Sequence, residues 1–447
     1  MTPDLVARYN APVPRYTSYP TAPHFHDGID AARYRRWLAA LGAEARLSLY
    51  LHVPFCDRMC WYCGCHTKVV KRYEPVARYA GLLRREVALA AEAMAARPKV
   101  SHVHWGGGTP TMLSPADFVA LMAELRGTFA FEADAEVAVE IDPRVLDGEK
   151  VDALAEAGVT RASLGVQDFT PSVQAAINRI QPYEQTAAVV ESLRAAGIAR
   201  INLDLMYGLP GQSPATLRET VDLALQLEPD RLALFGYAHV PWMKTHQRLI
   251  DESALPAPFE RLSQAEAAAE RLSEKGYRRI GFDHFARSDD PMAAALDAGR
   301  LRRNFQGYTT DDADALLGFG ASAIGALPQG YIQNAVPLSA YRAAVESGEL
   351  AVTRGLALTT EDCARRAIIE RLMCDLEVDL AQLAGDEPSQ RFGPELAALD
   401  GMARDDLVAI EGARVAVTER GRPFLRSVCA QFDSYLTASP ARHSSGV

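Results

Sequence analysis

Four of the chain's seven cysteines fall within ten residues, at Cys56, Cys60, Cys63 and Cys65. The spacing C-x3-C-x2-C lets one loop turn three thiolates inward around a single metal centre. An iron–sulfur cluster held by only three protein thiolates leaves one iron with open coordination, ready to bind the amino and carboxylate groups of a substrate. Two other outcomes fit the same spacing: a structural zinc on Cys56, Cys60, Cys63 and either Cys65 or His66, or a closed four-thiolate electron-transfer cluster. The alternating apolar run 47–53, ended by Pro54, predicts a strand just before the loop, which places the thiolates at a strand's C-terminal end.

The rest of the chain supplies the elements that must position this loop. Strand-like runs recur at 101–105, 135–141, 160–166, 200–206, 231–236 and 277–282, separated by helical patterns near 76–95, 115–127, 147–157, 184–196, 214–227 and 260–275. Several helices open on Pro, Ser or Thr and stop at Gly158, Gly197 or Gly276. Repeated βα units require a parallel sheet with helices outside, so the expected fold is α/β, a partial (β/α) barrel over 46–285. Polar residues gather at its strand ends: the GGGTP run at 106–110, Glu140 with Asp142, Gln167 with Asp168, and the segment from Asp204 to Gly208. In barrels the C-terminal strand ends carry the active site, and these four ends share the rim occupied by the cysteine loop.

The flanks read differently. Residues 1–45 form an N-terminal arm, rich in Pro and Tyr, with no helical period before 31–41; it carries Arg15, Tyr16 and Tyr19. Residues 286–355 extend the barrel and hold Arg300, Arg302, Arg303, Asn304 and a glycine-rich run at 317–325. A smaller C-terminal helical domain at 356–437, with a hairpin turning at Glu411, Gly412 and Ala413 and a helix over 424–436, reads as winged-helix-like; 438–447 reads as a disordered tail. From Glu361 onward there are 10 Arg, no Lys and 15 Asp or Glu, so this module lacks the basic footprint of a DNA binder. The net charge of −10 also argues against nucleic acid as a partner, and any anionic substrate must meet a local basic pocket. No segment reads as a signal peptide or a membrane span, so a cytoplasmic monomer is expected. Cys363, Cys374 and Cys429 are expected to be buried packing residues.

With Tyr62 before its third cysteine, the loop resembles the radical S-adenosylmethionine (SAM) superfamily. Cys65, RYTSYPT at 15–21, GGGTP at 106–110, DHFAR at 283–287 and NFQGYT at 304–309 make the chain similar, from about residue 9 to 437, to the oxygen-independent coproporphyrinogen III oxidases. That resemblance implies a [4Fe-4S] cluster on Cys56, Cys60 and Cys63, with SAM on the fourth iron lined by Tyr50, Gly107, Glu140 and Ile324. It implies a second SAM site at Tyr62, Gly108, Thr109, Gln167, Arg179, Asp204 and Ala238. Two SAM molecules are consumed per substrate. A fourth thiolate would close the iron that SAM needs, so Cys65 is assigned to the chemistry and not to the cluster. The implied reaction begins with an electron from a donor such as flavodoxin and cleavage of SAM to a 5′-deoxyadenosyl radical. Hydrogen abstraction, loss of CO2 and loss of one electron to an acceptor then turn each of two propionates of coproporphyrinogen III into a vinyl. Two rivals share parts of this pattern: a haem-binding chaperone with the same barrel and cluster loop, and a winged-helix regulator that uses the cluster as a sensor. Cys65, the arm motif and 304–309 fit the oxidases better, and the acidic C-terminal region weighs against the regulator.

Overall fold

The computed structural model describes residues 1–384 and 388–436. Strict alternation along six strands puts two chemistries on two faces of one sheet. The strands are β1 (Arg46–Val53), β2 (Lys99–Gly107), β3 (Ala130–Ile141), β4 (Arg161–Gln167), β5 (Arg200–Tyr207) and β6 (Arg231–Gly236), paired in that order and all parallel. Leu49, Leu51, Trp105, Val139, Leu164 and Leu203 are buried in the largest core, which the sheet shares with its crossover helices. The residues between them are polar. Tyr50 sits in register with His104, Glu140 with Ser163, and Gly165 with Asp204, so the inner face of the barrel is built for chemistry.

The crossover helices start where side chains cap them. Ser114 accepts from the Asp117 N–H, Asp147 from Lys150, and Ser213 forms a reciprocal pair with Thr216. At the strands' N-terminal ends the barrel floor is plugged by paired charges. Arg161 lies 3.2 Å from Glu136, Arg231 2.8 Å from Asp290, and His102 3.1 Å from Asp311.

The barrel does not close. Ala315–Phe319 joins parallel to β1, and Ile324–Leu327, Gly330–Asn334 and Val352–Ala357 continue antiparallel from it. At the far edge the strand expected over 277–282 is only Arg278–Ile280. Gly281, at φ 55°, turns the chain back, and His284–Ala286 takes the place beside β6, antiparallel to it.

The C-terminal region packs the helix Thr360–Asp375 and the helix Gly393–Arg404 against a three-stranded antiparallel sheet whose hairpin joins Val408–Glu411 to Arg414–Val417. The helix expected over 424–436 is three short turns, Arg422–Phe424, Leu425–Cys429 and Ala430–Phe432. The N-terminal arm does contain a helix, Pro3–Tyr9, capped by Thr2 and too short to show a period. Leu5, Val6, Val13, Tyr16 and Tyr19 enter the same core as Ile368, Leu372, Phe424 and Phe432, so the arm is a strap on the C-terminal module. Tyr16 donates to Asp433 at 3.0 Å, and Tyr19 Oη lies 2.9 Å from Ser434 Oγ. Cys374 and Cys429 are buried as expected; Cys363 is exposed, on the solvent side of its helix. The expected tail at 438–447 lies outside the described residues.

One buried carboxylate ties the barrel to its extension. Glu86, on the helix Glu74–Glu92, accepts from Gly320 N and Tyr341 Oη at 2.7 Å each and from Asn334 Nδ2. Burial pushes its pKa up to about 7 even though those three donors pull it down. Between the ordinary 4.5 and about 7 the unfolded chain releases a proton that the folded protein keeps, so this group makes stability fall as pH rises through that window. Its share of the loss is on the order of 3 kcal/mol. Urea unfolding between pH 4.5 and 7.5 should show Glu86→Gln with a correspondingly flatter pH dependence than wild type. Parallel curves for the two proteins would show that Glu86 is ionised throughout.

Candidate active site

A cavity of about 660 Å³ opens at the C-terminal ends of the strands. The cysteine loop leaves β1 at Pro54 and is held from two sides. Trp61 N donates to Ile177 O at 3.0 Å, and Asn178 Nδ2 to Met59 O at 2.8 Å. The segment after β6 supplies His246 to Cys63 O at 2.7 Å, Gln247 to Tyr62 O at 2.9 Å, and Lys244 to Cys65 O at 2.9 Å.

Each of the three spaced sulfurs has hydrogen-bond donors. Thr67 Oγ1 donates to Cys56 at 3.0 Å, Arg144 to Cys60 at 3.3 Å, and the Cys65 N–H to Cys63 at 3.4 Å. The Cys65 thiol and N–H, with His246 and Lys244 near, bring Cys63 down to about 6 against its burial. Burial pushes the Cys56 thiol up, opposed by Thr67 and Thr109. Among the described residues no three His, Cys, Asp or Glu side chains converge to hold a single ion. A four-iron cluster takes one thiolate per iron and needs them spread apart. Three soft sulfurs around a roomy cavity, each supported by donors, fit that group.

Beside the loop, the glycine run at 106–108 lets backbone stand where side chains cannot. A Cβ on Gly106 would lie 2.8 Å from Glu140 Oε1, and one on Gly107, whose φ is 112°, 2.7 Å from the His52 ring. Glu140 accepts from His104 at 3.0 Å and from Gly107 N at 3.2 Å; burial works to raise its pKa, but His104 and Gly107 hold it below the usual value. Asp142 is brought down to about 2: burial opposes, and Arg179 and Arg144 prevail. Arg179 donates to Gly165 O at 2.6 Å and lies 3.3 Å from Asp142. Its ion-pair partner is thus Asp142 and not Asp204. Asp204 accepts from Asn202 Nδ2 at 2.8 Å and Ser163 Oγ at 3.2 Å, and burial with the Glu140 charge pushes it up to about 6. Gln167 ends β4 at φ 70°, a left-handed conformation that is unusual for its type.

Of the residues expected at the site, Cys56, Cys60, Cys63, Cys65, Tyr62, Gly107, Gly108, Thr109, Glu140, Gln167, Arg179, Asp204 and Ala238 all line this cavity. Tyr50 and Ile324 do not. Tyr50 stands behind the wall, its ring stacked on His104 and its hydroxyl 2.9 Å from His52 Nδ1. Ile324 is half-buried beside Phe25 and Tyr331. Arg15 and Arg303 reach the cavity, whereas Arg302 faces Glu370 at 3.7 Å and neither it nor Arg300 lines the wall. Arg144, Arg261 and Arg426 line it as well. Arg144 follows Asp142 closely enough to have been found; Arg261 and Arg426 sit in helical patterns that carry no such signal.

A parallel partial barrel with a three-thiol loop after its first strand defines a radical SAM enzyme, which by class uses a [4Fe-4S] cluster and SAM. The radical SAM superfamily model matches residues 50–224, and the HemN C-terminal domain model matches 358–424. The chain is 52% identical, over the full length of both, to an oxygen-independent coproporphyrinogen III oxidase from Bradyrhizobium diazoefficiens. It is 46% identical to the protein of the same name from Paracoccus denitrificans, covering 98% of this chain and 97% of that one. The solved coproporphyrinogen III oxidase (HemN) from Escherichia coli superposes with a TM-score of 0.90 at 40% identity, covering 94% of this chain and 98% of the other. The chain belongs to the family of oxygen-independent coproporphyrinogen III oxidases.

Proposed function

We propose that this cavity oxidises coproporphyrinogen III to protoporphyrinogen IX without oxygen, in haem biosynthesis, by decarboxylating two propionates to vinyls. The observation that carries it is one continuous cavity that joins a three-thiol loop to a wall of arginines and aromatics in an otherwise acidic, full-length relative of these oxidases. Cys56, Cys60 and Cys63 would hold the cluster. With SAM bound, that group would supply the radical chemistry needed at the propionate carbon next to the ring. The chain's own work is positioning. Gly107 exposes backbone, Glu140 offers a carboxylate kept ionised by His104, and the pinned cysteine loop fixes where the thiolates point. Cys65 lies within hydrogen-bond reach of Cys63 and opens onto the cavity, which suits a role in the chemistry. The electron comes from outside, from a flavodoxin-type donor, and the protein acts as a monomer. Anaerobically reconstituted protein given coproporphyrinogen III, SAM and reductant should form protoporphyrinogen IX. Tight haem binding with no product would replace this reading by the chaperone.

A second SAM molecule is supported by the residues beside the first. Gln167 on β4, Asp204 on β5, and Arg179 and Ala238 from the segments that follow β4 and β6 line the same cavity beyond Glu140 on β3. Asp204, at about 6, can accept from an ammonium or hydroxyl group. Equilibrium dialysis under anaerobic conditions should find about two SAM per wild-type chain and about one in Asp204→Ala or Arg179→Ala, since a charge-assisted contact is worth on the order of 1.5–3 kcal/mol. A wild-type value of one, unchanged in both variants, would return these residues to a structural role.

A further inference from the structure

The cysteine loop has an outer side as well as a cavity side. Among the described residues eight large hydrophobic side chains are exposed, and the four most exposed, Ile180, Trp242, Met243 and Leu249, lie on the two segments that pin this loop. Their exposure is 46% to 65%, against 36% to 39% for the other four. None of them lines the cavity. Apolar side chains left in the open around one feature mark a surface that meets a partner.

The charge around them runs against that of the chain. The chain carries −10 overall, yet residues 55–73 hold Arg58, Lys68, Lys71 and Arg72 against Asp57 alone, and residues 236–250 hold Lys244 and Arg248 with no Asp or Glu. Counting the next carboxylates along the chain, Glu74, Asp251 and Glu252, still leaves six cations against four anions. Several of these cations are paired: Arg58 and Lys71 share Asp57 at 3.3 and 3.0 Å, and Arg72 lies 4.0 Å from Glu74. Exposed pairs contribute little, and two cations on one carboxylate leave the local field positive.

Behind this surface lie the thiolates. Lys71 Nζ donates to Asp57 O at 2.7 Å, beside Cys56; Asn178 donates to Met59 O, and Trp61 N to Ile177 O, on either side of Cys60; His246 meets Cys63 O itself. An electron arriving at this face crosses hydrogen-bonded backbone to reach the sulfurs, so no reducing agent has to enter the cavity where the radical forms.

We propose that Ile180, Trp242, Met243 and Leu249, with the basic side chains around them, form the docking surface for an acidic, low-potential one-electron carrier protein. An apolar centre containing Trp and Met with charge that steers the encounter suits a transient complex. One electron leaves the carrier, oxidising it by one, and reduces the cluster on Cys56, Cys60 and Cys63 by one; no atom is transferred. The inference rests on the reading that these cysteines hold a reducible cluster.

The test pairs the anaerobic, cluster-loaded protein with reduced flavodoxin as the acidic carrier, and with dithionite as a small reductant that needs no docking surface. Two double variants change exposed side chains outside the cavity: Trp242→Ser with Met243→Ser, and Arg72→Glu with Arg248→Glu. Each should raise the Kd for flavodoxin, read by calorimetry, about ten-fold or more, and slow oxidation of the flavin in step. Dithionite reduction, iron content and SAM affinity should stay at wild-type values. Wild-type affinity for flavodoxin should fall between about 50 and 300 mM salt, less steeply in the charge-reversed variant. Unchanged flavodoxin affinity in both variants would overturn the proposal. So would an equal loss with dithionite, which would make these residues braces of the loop, or a wild-type dimer that the Ser variant dissociates, which would make the face a contact between two copies. Docking needs no substrate, so a protein that takes electrons here without converting coproporphyrinogen III fails the functional reading alone. A protein that assembles no reducible cluster fails both.

Discussion

Serine at Cys60 is expected to yield protein without iron, and serine at Cys56 or Cys63 to do the same, whereas serine at Cys65 should keep the iron and lose turnover by on the order of a hundred-fold. The first three follow from the donor set. An alkoxide is far harder to form than a thiolate, so an iron that loses its sulfur has no anionic replacement. At Cys60 the loss is compounded, because Arg144 and Arg179 both direct N–H groups at that sulfur and would be left with a shorter, neutral partner. Cys65 differs in how it is used. Its N–H supports Cys63 and its carbonyl receives Lys244, and both are backbone groups that serine retains. Iron and labile sulfide content, with the change in the cluster's electron resonance on adding SAM, separates the two classes. If Cys65→Ser loses iron as fully as Cys60→Ser, Cys65 is a ligand and its assignment to the chemistry falls.

Gly107→Ala should destabilise the protein by about 3 kcal/mol and abolish measurable SAM binding. Two costs add at this position. Its φ of 112° lies outside what a residue with a Cβ adopts without strain, and the new carbon would meet His52 at 2.7 Å. That ring cannot swing aside freely, because Tyr50 holds Nδ1 at 2.9 Å and Nε2 lies 3.1 Å from His66 O, at the far end of the cysteine loop. The double variant His52→Ala with Gly107→Ala apportions the two costs: it relieves the contact and leaves the backbone strain. Urea unfolding and SAM dialysis on Gly107→Ala, on the double variant and on His52→Ala alone provide the readout. Wild-type stability and SAM affinity in Gly107→Ala would show that the loop tolerates a side chain and that the close approach there is not needed.

Much of the positioning machinery was legible in the sequence because it depends on local periodicity. The alternation of Leu47, Leu49 and Leu51 with Ser48, Tyr50 and His52 predicts both the strand and its two faces, and the capped helices between strands predict the crossovers. The rim residues Glu140, Gln167 and Asp204 could be placed because a parallel barrel puts every strand's end at one rim. What escaped depends on contacts between distant parts of the chain. Arg426 reaches the cavity only because the C-terminal module folds back over it, and Arg302 misses it because alternate residues of a short strand point opposite ways, sending Arg303 inward. The expected strand over 277–282 failed for a local reason, a glycine at positive φ that reverses the chain inside an apolar run. The helix Pro3–Tyr9 is stabilised by the module it docks on, and seven residues are too few to carry a period.

The strap also sets an order of events during synthesis. Tyr16 and Tyr19 are synthesised before every strand of the barrel, yet their partners Asp433 and Ser434 follow 417 and 415 residues later. At roughly 5–20 residues per second, the first residues wait on the order of tens of seconds for the core they belong to. From the completion of the sheet's last strand, Val352–Ala357, until Asp433 is made, the strap still lacks its seat. A product cut short before Asp433 therefore contains the strands and the cysteine loop but no seat for the strap's two tyrosines.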